Sequence, residues 1–128
     1  MKTKRPSKQR KQLYTASGQQ VRKLMAAPLA TELRATQHRR SYQVRRGDTV
    51  KIVRGDFAGV EGKVTEIDRG SRRLFVEGVT REKTSGSSGN VSVHCSKVVI
   101  TKLNLDDKWR AEALKPVGGK EVKEAAQQ

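Results

Sequence analysis

From Thr49 onward the apolar residues alternate with polar ones in short runs, and this pattern constrains the fold more than any other feature of the chain. Val50 and Ile52, then Val64 and Ile67, then Leu74, Val76 and Val79 recur near period two, with glycine-rich stretches between the runs. That period puts the side chains on one face of a strand, so strands are expected over 49–54, 62–68 and 73–77. Gly55-Asp56-Phe57-Ala58-Gly59 and Asp68-Arg69-Gly70-Ser71 are turn signals between them. A Ser/Gly-rich loop is expected over 84–90, followed by two further short strands around Val91 and Val93 and at Val98-Val99-Ile100. Five short strands punctuated in this way point to a small antiparallel β-barrel.

Charge divides the chain differently. Residues 1–46 hold 13 Lys and Arg against the single acid Glu32, whereas residues 47–128 hold 15 against 12. Most of the formal net charge of +15 therefore lies on an N-terminal arm, ahead of a nearly balanced body. Hydrophobic residues are only 34% and aromatics 4% of the 128 residues, so the core is modest and part of the chain lies outside it. An uncompensated basic arm repels itself and calls for a polyanion, most commonly nucleic acid. Its Arg-rich, acid-poor character also fits an organellar transit peptide, but an RNA-binding arm accounts for the same residues and is preferred.

Within the arm, Val21, Leu24 and Met25 have the i, i+3, i+4 spacing of a short helix. A second helix is expected over 28–37, opened by Pro28, carrying the Leu29/Leu33 pair and ending in His38-Arg39-Arg40. After the strands, Asn104 is a candidate N-cap with Asp106 and Asp107 in the first turn. That helix is expected to run to about Leu114 and to pack Leu105 and Trp109 on the barrel. Pro116 and Gly118-Gly119 would end it, leaving a polar tail over 120–128. The expected organisation is a basic arm over 1–40, a β-barrel over 41–103, and a C-terminal helix with its tail over 104–128.

Catalytic chemistry finds little support. His38 and His94 are far apart in sequence, and Cys95 beside His94 is too small a set for a metal. A single cysteine leaves no intramolecular disulfide, as suits a reducing compartment. Gly55, Gly59 and Gly62 followed by Lys63 superficially suggest a phosphate loop. However, Phe57 occupies the first glycine position, Val64 replaces the Ser or Thr, and a strand follows where a helix is required. Asp48 and Asp56 are expected to shape turns or pair with arginines. Neither an enzyme nor a bound cofactor or metal is expected. No run approaches the ~18 apolar residues of a membrane span, so no insertion is expected. No apolar stretch follows Met1 as in a secretory signal, and Asn90-Val91-Ser92 is read as a chance glycosylation match.

The informative segment runs Arg45-Arg46-Gly47-Asp48-Thr49-Val50-Lys51-Ile52-Val53-Arg54-Gly55-Asp56-Phe57-Ala58-Gly59-Val60-Glu61-Gly62-Lys63-Val64. Physically it is a basic lead-in, a strand, a glycine-bounded tip and a second strand. Gly59 permits positive φ or close approach to a partner backbone. Phe57 is expected on the exposed tip, where its ring stacks on a base or anchors the loop. Lys51, Arg54, Lys63, Arg72 and Arg73 are candidate phosphate contacts.

This segment resembles the KOW motif, an RNA-binding hairpin of ribosomal proteins and transcription elongation factors. The flanks narrow the resemblance. Lys8-Gln9-Arg10-Lys11, Lys23-Leu24-Met25-Ala26-Ala27-Pro28-Leu29 and Glu32-Leu33-Arg34 resemble one family's arm, and Val98-Val99-Ile100-Thr101-Lys102-Leu103-Asn104-Leu105-Asp106-Asp107-Lys108 resembles its C-terminal signature. That family is the universal large-subunit ribosomal protein numbered twenty-four in bacteria and twenty-six in eukaryotes, here in its archaeal/eukaryotic form.

The resemblance implies a mainly β fold, a small SH3-like antiparallel barrel with short helices in the arm and a short C-terminal helix. It implies a structural constituent of the large subunit in the cytoplasmic ribosome. Such a protein binds the 5′ domain of large-subunit rRNA, supports assembly and lies near the exit of the peptide tunnel. Its expected partners are rRNA, neighbouring ribosomal proteins and factors docking at the tunnel exit. Expected RNA contacts in the arm are Lys4, Arg5, Lys8, Arg10 and Lys11, then Arg22 and Lys23, then Arg34, Arg39 and Arg40. Arg45 and Arg46 continue the set into the hairpin residues named above. A transcription-elongation module is the competing expectation, but it usually carries a second α/β domain for which 128 residues leave no room.

Overall fold

Residues 3–115 are described by the computed structural model. The expected tail over 120–128, and the Pro116 and Gly118-Gly119 stop, lie outside the described residues. The arm begins with α1 (Pro6–Tyr14), with Pro6 in its first turn, and α2 (Gly18–Leu24). Ser17 and Gln20 form a reciprocal capping box at the start of α2. Neither helix contains a buried residue.

The chain then changes character. Met25, Ala27 and Leu29 are buried at alternate positions, and β1 (Ala26–Pro28) pairs antiparallel with β2 (Ser41–Gln43). The helix expected to open at Pro28 begins later, as α3 (Thr31–Gln37). Pro28 closes a strand because the Leu29 N–H is taken by the Arg40 carbonyl at 3.0 Å and that of Ala30 by the Ile100 carbonyl at 2.9 Å. His38, in the left-handed region at φ 51°, ends α3 and turns the chain back into β2.

The body is a five-stranded antiparallel sheet of β3 (Thr49–Ile52), β4 (Glu61–Asp68), β5 (Arg73–Glu82), β6 (Ser88–His94) and β7 (Val98–Lys102). Its order is β6-β5-β4-β3-β7, so β6 and β7 are the outer strands, and no ladder joins them among the described residues. The 3-10 turn Cys95–Lys97 carries the chain from one outer strand to the other. Leu29 forms a parallel bridge with Ile100, so a residue of the arm pairs with the outer strand β7.

The expected strands are all present; β5 runs past its expected end at 77 to Glu82, and β6 begins at Ser88, within the stretch expected as loop. The Lys83 N–H reaches the Ser87 carbonyl at 2.8 Å, leaving a short exposed turn between them. One apolar cluster holds Val50, Ile52, Val64, Leu74, Val76, Val79, Val93, Val98 and Ile100 from the sheet, together with Met25, Ala27, Leu29 and Val44. Two glycines are required by geometry. Gly59 has φ 92° and donates to the Ile52 carbonyl at 2.7 Å, which closes the tip between β3 and β4. A Cβ on Gly62 would lie 2.5 Å from the Glu77 carbonyl oxygen.

The last helix, α4 (Lys108–Leu114), starts later than expected. Asp107 is its N-cap, accepting from the Trp109 N–H at 3.1 Å, whereas Asn104 accepts from the Asp106 N–H at 2.9 Å in the turn before it. The expected packing of Leu105 and Trp109 is also not found, for Trp109 is 80% exposed and Leu105 49%. The inward pair is Arg110 and Leu114, one helical turn apart.

Candidate nucleic-acid interface

The inward arginine of α4 is the most heavily bonded side chain in the molecule's interior. Arg110 meets Asp48 in a bidentate pair at 2.6 and 2.7 Å, with both residues buried. Its guanidinium also donates to the carbonyls of Asn104 at 2.8 Å and Gln43 at 3.0 Å, and lies over the Tyr42 ring. Asp48 in turn accepts the N–H groups of Arg45 at 2.8 Å and Asn104 at 2.9 Å. The expectation that Asp48 pairs with an arginine is met. Two charges withdrawn from water stand only when both are bonded on most sides, and here they tie β2, the β3 lead-in and α4 together. This pair has a structural task, and its cation is not available to a ligand.

The expected RNA-contacting residues divide into those the fold uses and those it leaves free. Arg34 donates to the Leu29 carbonyl at 2.7 Å, Arg39 to the Ala113 carbonyl at 2.7 Å, and Arg45 pairs with Asp107 at 2.5 Å. The Arg45 bond is the main reason that the Asp107 carboxyl titrates below its ordinary range. Arg73 reaches the Ser92 hydroxyl at 3.3 Å. Lys4, Arg5, Lys8, Arg10 and Lys11 are exposed in and just before α1, as are Arg22 and Lys23 on α2. Arg40, Arg46, Lys51, Arg54 and Lys63 are exposed as well, and Arg72 is half-buried at φ 58°. Among the described residues only two ion pairs form, so most of the basic side chains have no internal counter-charge.

Two concave sites collect some of these residues. The first lies beside the β3–β4 tip, where Arg54, Phe57 and Arg73 share a groove with Asp56, His94 and Lys97. Phe57 is half-buried and packs on the core cluster, in line with the loop-anchor alternative of the two expected for its ring. His94 titrates below its ordinary value, chiefly because burial disfavours the imidazolium and then because Arg72, Arg73 and Lys97 repel it. The three cations beside the ring make this wall of the groove positive. The second site is a cleft between α2 and β4 that gathers Arg22, Arg45 and Arg46 with Arg69.

Lys97 and Arg69 are not singled out by sequence reasoning. Each lies beside a turn, and nothing in a turn's sequence tells which cleft it will border. Cys95 is a core residue whose thiol donates to the Leu24 carbonyl at 3.4 Å, and its burial pushes its pKa up. Asp68 holds the β4–β5 turn by accepting from Ser71 and Gly70, which lowers its pKa.

The molecule is thus a small mainly β body with a basic arm and cation-lined clefts, and comparison with known proteins gives its class. Residues 3–116 match the family described as ribosomal proteins L26 eukaryotic and L24P archaeal. The chain is 45% identical over 120 residues to the large ribosomal subunit protein uL24 of Korarchaeum cryptofilum, covering 94% of this chain and 92% of that one. It is 44% identical to the proteins of the same name from Saccharolobus solfataricus, over 86% of this chain and 92% of that one, and from Methanosphaera stadtmanae, over 88% and 96%. The chain belongs to this family of large-subunit ribosomal proteins. It is thereby a structural protein of the cytoplasmic ribosome and not an enzyme.

Proposed function

We propose that the chain binds the 5′ domain of large-subunit rRNA, supports subunit assembly and sits near the exit of the peptide tunnel. The observation that carries this reading is the state of α1 and α2. Residues 3–24 hold seven Lys and Arg and no acid, and neither helix buries a residue. Only Val21 of the two helices packs against the core cluster, partly buried, so a basic segment held this lightly by the body calls for a polyanion, and phosphate neutralisation supplies the binding energy. The arm, residues 1–40, reaches between rRNA helices. The body, residues 41–103, is an SH3-like barrel of the KOW type, and the C-terminal helix α4 follows it. The barrel assignment is supported by the single apolar cluster shared by all five strands and by irregular register between β3 and β7, β4 and β5, and β5 and β6. Such irregularities bend strands and let a sheet curl around one core. Neighbouring ribosomal proteins, and factors docking at the tunnel exit, are the further partners of this reading.

The test is titration of the whole protein against a 5′-domain rRNA fragment and a shuffled RNA of equal length, across several salt concentrations. Both affinities are expected to fall steeply with salt, with the rRNA fragment preferred at physiological ionic strength. Equal binding of the two RNAs, or none, defeats the rRNA assignment.

A further inference from the structure

The cleft between α2 and β4 has a chemistry unlike that of the rest of the basic surface. Its volume is about 560 Å³, within the roughly 300–1,000 Å³ typical of clefts that hold a small ligand. Val21, Met25, Val44 and Ile67 give it an apolar floor, while Arg22, Arg46 and Arg69 border it with no bonded partner among the described residues. A fourth arginine at the rim, Arg45, is already held by Asp107. Phosphate contacts along a duplex backbone need only cations on a surface and make no use of an apolar recess. An apolar floor ringed by guanidinium groups matches a ligand with a flat apolar face and an anionic tail.

We propose that this cleft takes a single unstacked nucleotide of the bound RNA, its base on the apolar floor and its phosphates against Arg22, Arg46 and Arg69. RNA-binding proteins read unpaired nucleotides by splaying the base out into such a recess. Glu66, the one acid lining the cleft, belongs to the same assignment. A carboxylate accepts hydrogen bonds and cannot donate them, so among three cations it suits the imino and amino N–H groups of guanine. The inference rests on the RNA-binding reading above and adds to its phosphate contacts a contact to one particular base.

Two measurements on the full chain test it. In the first, guanosine monophosphate and inorganic phosphate are titrated separately while the methyl resonances of Val21, Val44 and Ile67 are followed. The nucleotide is expected to shift all three to saturation, and phosphate to leave them in place; equal shifts from phosphate make the cleft a simple anion site and overturn the proposal. In the second, Ile67→Trp and Thr65→Trp, each filling the recess, are compared with the unaltered protein on the 5′-domain fragment. Thr65 is exposed, so this variant does not disturb the core. Both are expected to bind about tenfold more weakly with an unchanged salt slope, the scale of a single base that no longer stacks. Unchanged affinity in both variants, on an RNA that the unaltered protein does bind, overturns the nucleotide site alone. Failure of the unaltered protein to bind removes the RNA reading itself, and the site with it.

Discussion

Two neighbouring stretches of one basic arm behave in opposite ways. Residues 3–24 form two helices with no buried side chain, whereas residues 25–29, equally close to the cationic cluster, place Met25, Ala27 and Leu29 at 0–2% exposure in the core. Composition separates them, since residues 25–29 are Met-Ala-Ala-Pro-Leu without a charge and residues 3–24 hold seven Lys and Arg. Period then seats the second stretch: three apolar side chains at i, i+2 and i+4 form the inward face of a strand, and the partner strand β2 supplies the hydrogen bonds. An arm can thus be anchored by its last few residues while the rest stays on the surface. The basic charge ahead of the anchor is held at a fixed place on the body.

The largest effect expected from breaking this contrast comes from the clamp behind β2. Arg110→Ala leaves Asp48 charged, buried and without its partner, and a loss of about 3–5 kcal/mol in denaturant unfolding is expected. Little change would mean that the ion pair does not hold the anchored segment. Next, Leu29→Ala should cost about 2–5 kcal/mol, the usual penalty for emptying a core site. A loss below about 0.5 kcal/mol would put residues 25–29 in the same class as the surface helices. By contrast, Lys8, Arg10 and Lys11 changed together to Gln should leave stability within about 0.5 kcal/mol. Their salt slope for RNA should fall by about 0.7–0.9 for each phosphate no longer neutralised, and an unchanged slope would take α1 out of the interface.

The smallest effect concerns His94. Its folded-state pKa lies below the ordinary 6.5, so as pH falls through 6.5 the unfolded chain takes up the proton first. Stability is therefore expected to drop between 6.5 and the lower folded value, and to be insensitive to this group above 6.5. An imidazole resonance titrating at or above 6.5 in the free protein would contradict the cationic wall around it. With RNA bound, a phosphate in the Arg54–Arg73 groove should raise that value.

The sheet is largely legible in the sequence because its signal is local. Val50 and Ile52, and Leu74 and Val76, announce β3 and β5 by alternation, Val64 and Ile67 mark β4 across its register shift, and Gly59 adopts the positive φ expected of it. β1 escapes such a reading because one of its inward residues is Ala27, a weak apolar signal, and because Pro28 is as acceptable at the end of a strand as at the start of a helix. The orientation of α4 departs from expectation for another reason. Trp109 is the more apolar neighbour, but burial goes to Arg110, whose partner Asp48 lies 62 residues earlier and is invisible to any local pattern. Of the interface residues, the free cations of α1 and α2 can be read from charge. The cleft floor cannot, since it needs Val21 and Ile67 brought together from separate elements.

The bridge between Leu29 and Ile100 has a consequence for how the chain is made. Synthesis delivers the N-terminus first, so α1 and α2 emerge well before β7 exists. Until Ile100 follows, Leu29 lacks the strand against which it seats, and the cationic helices precede any body able to hold them. The newborn chain is for that interval a tethered polycation, open to whatever anion is nearest. Closing the sheet ends the interval by fixing the direction in which that charge points.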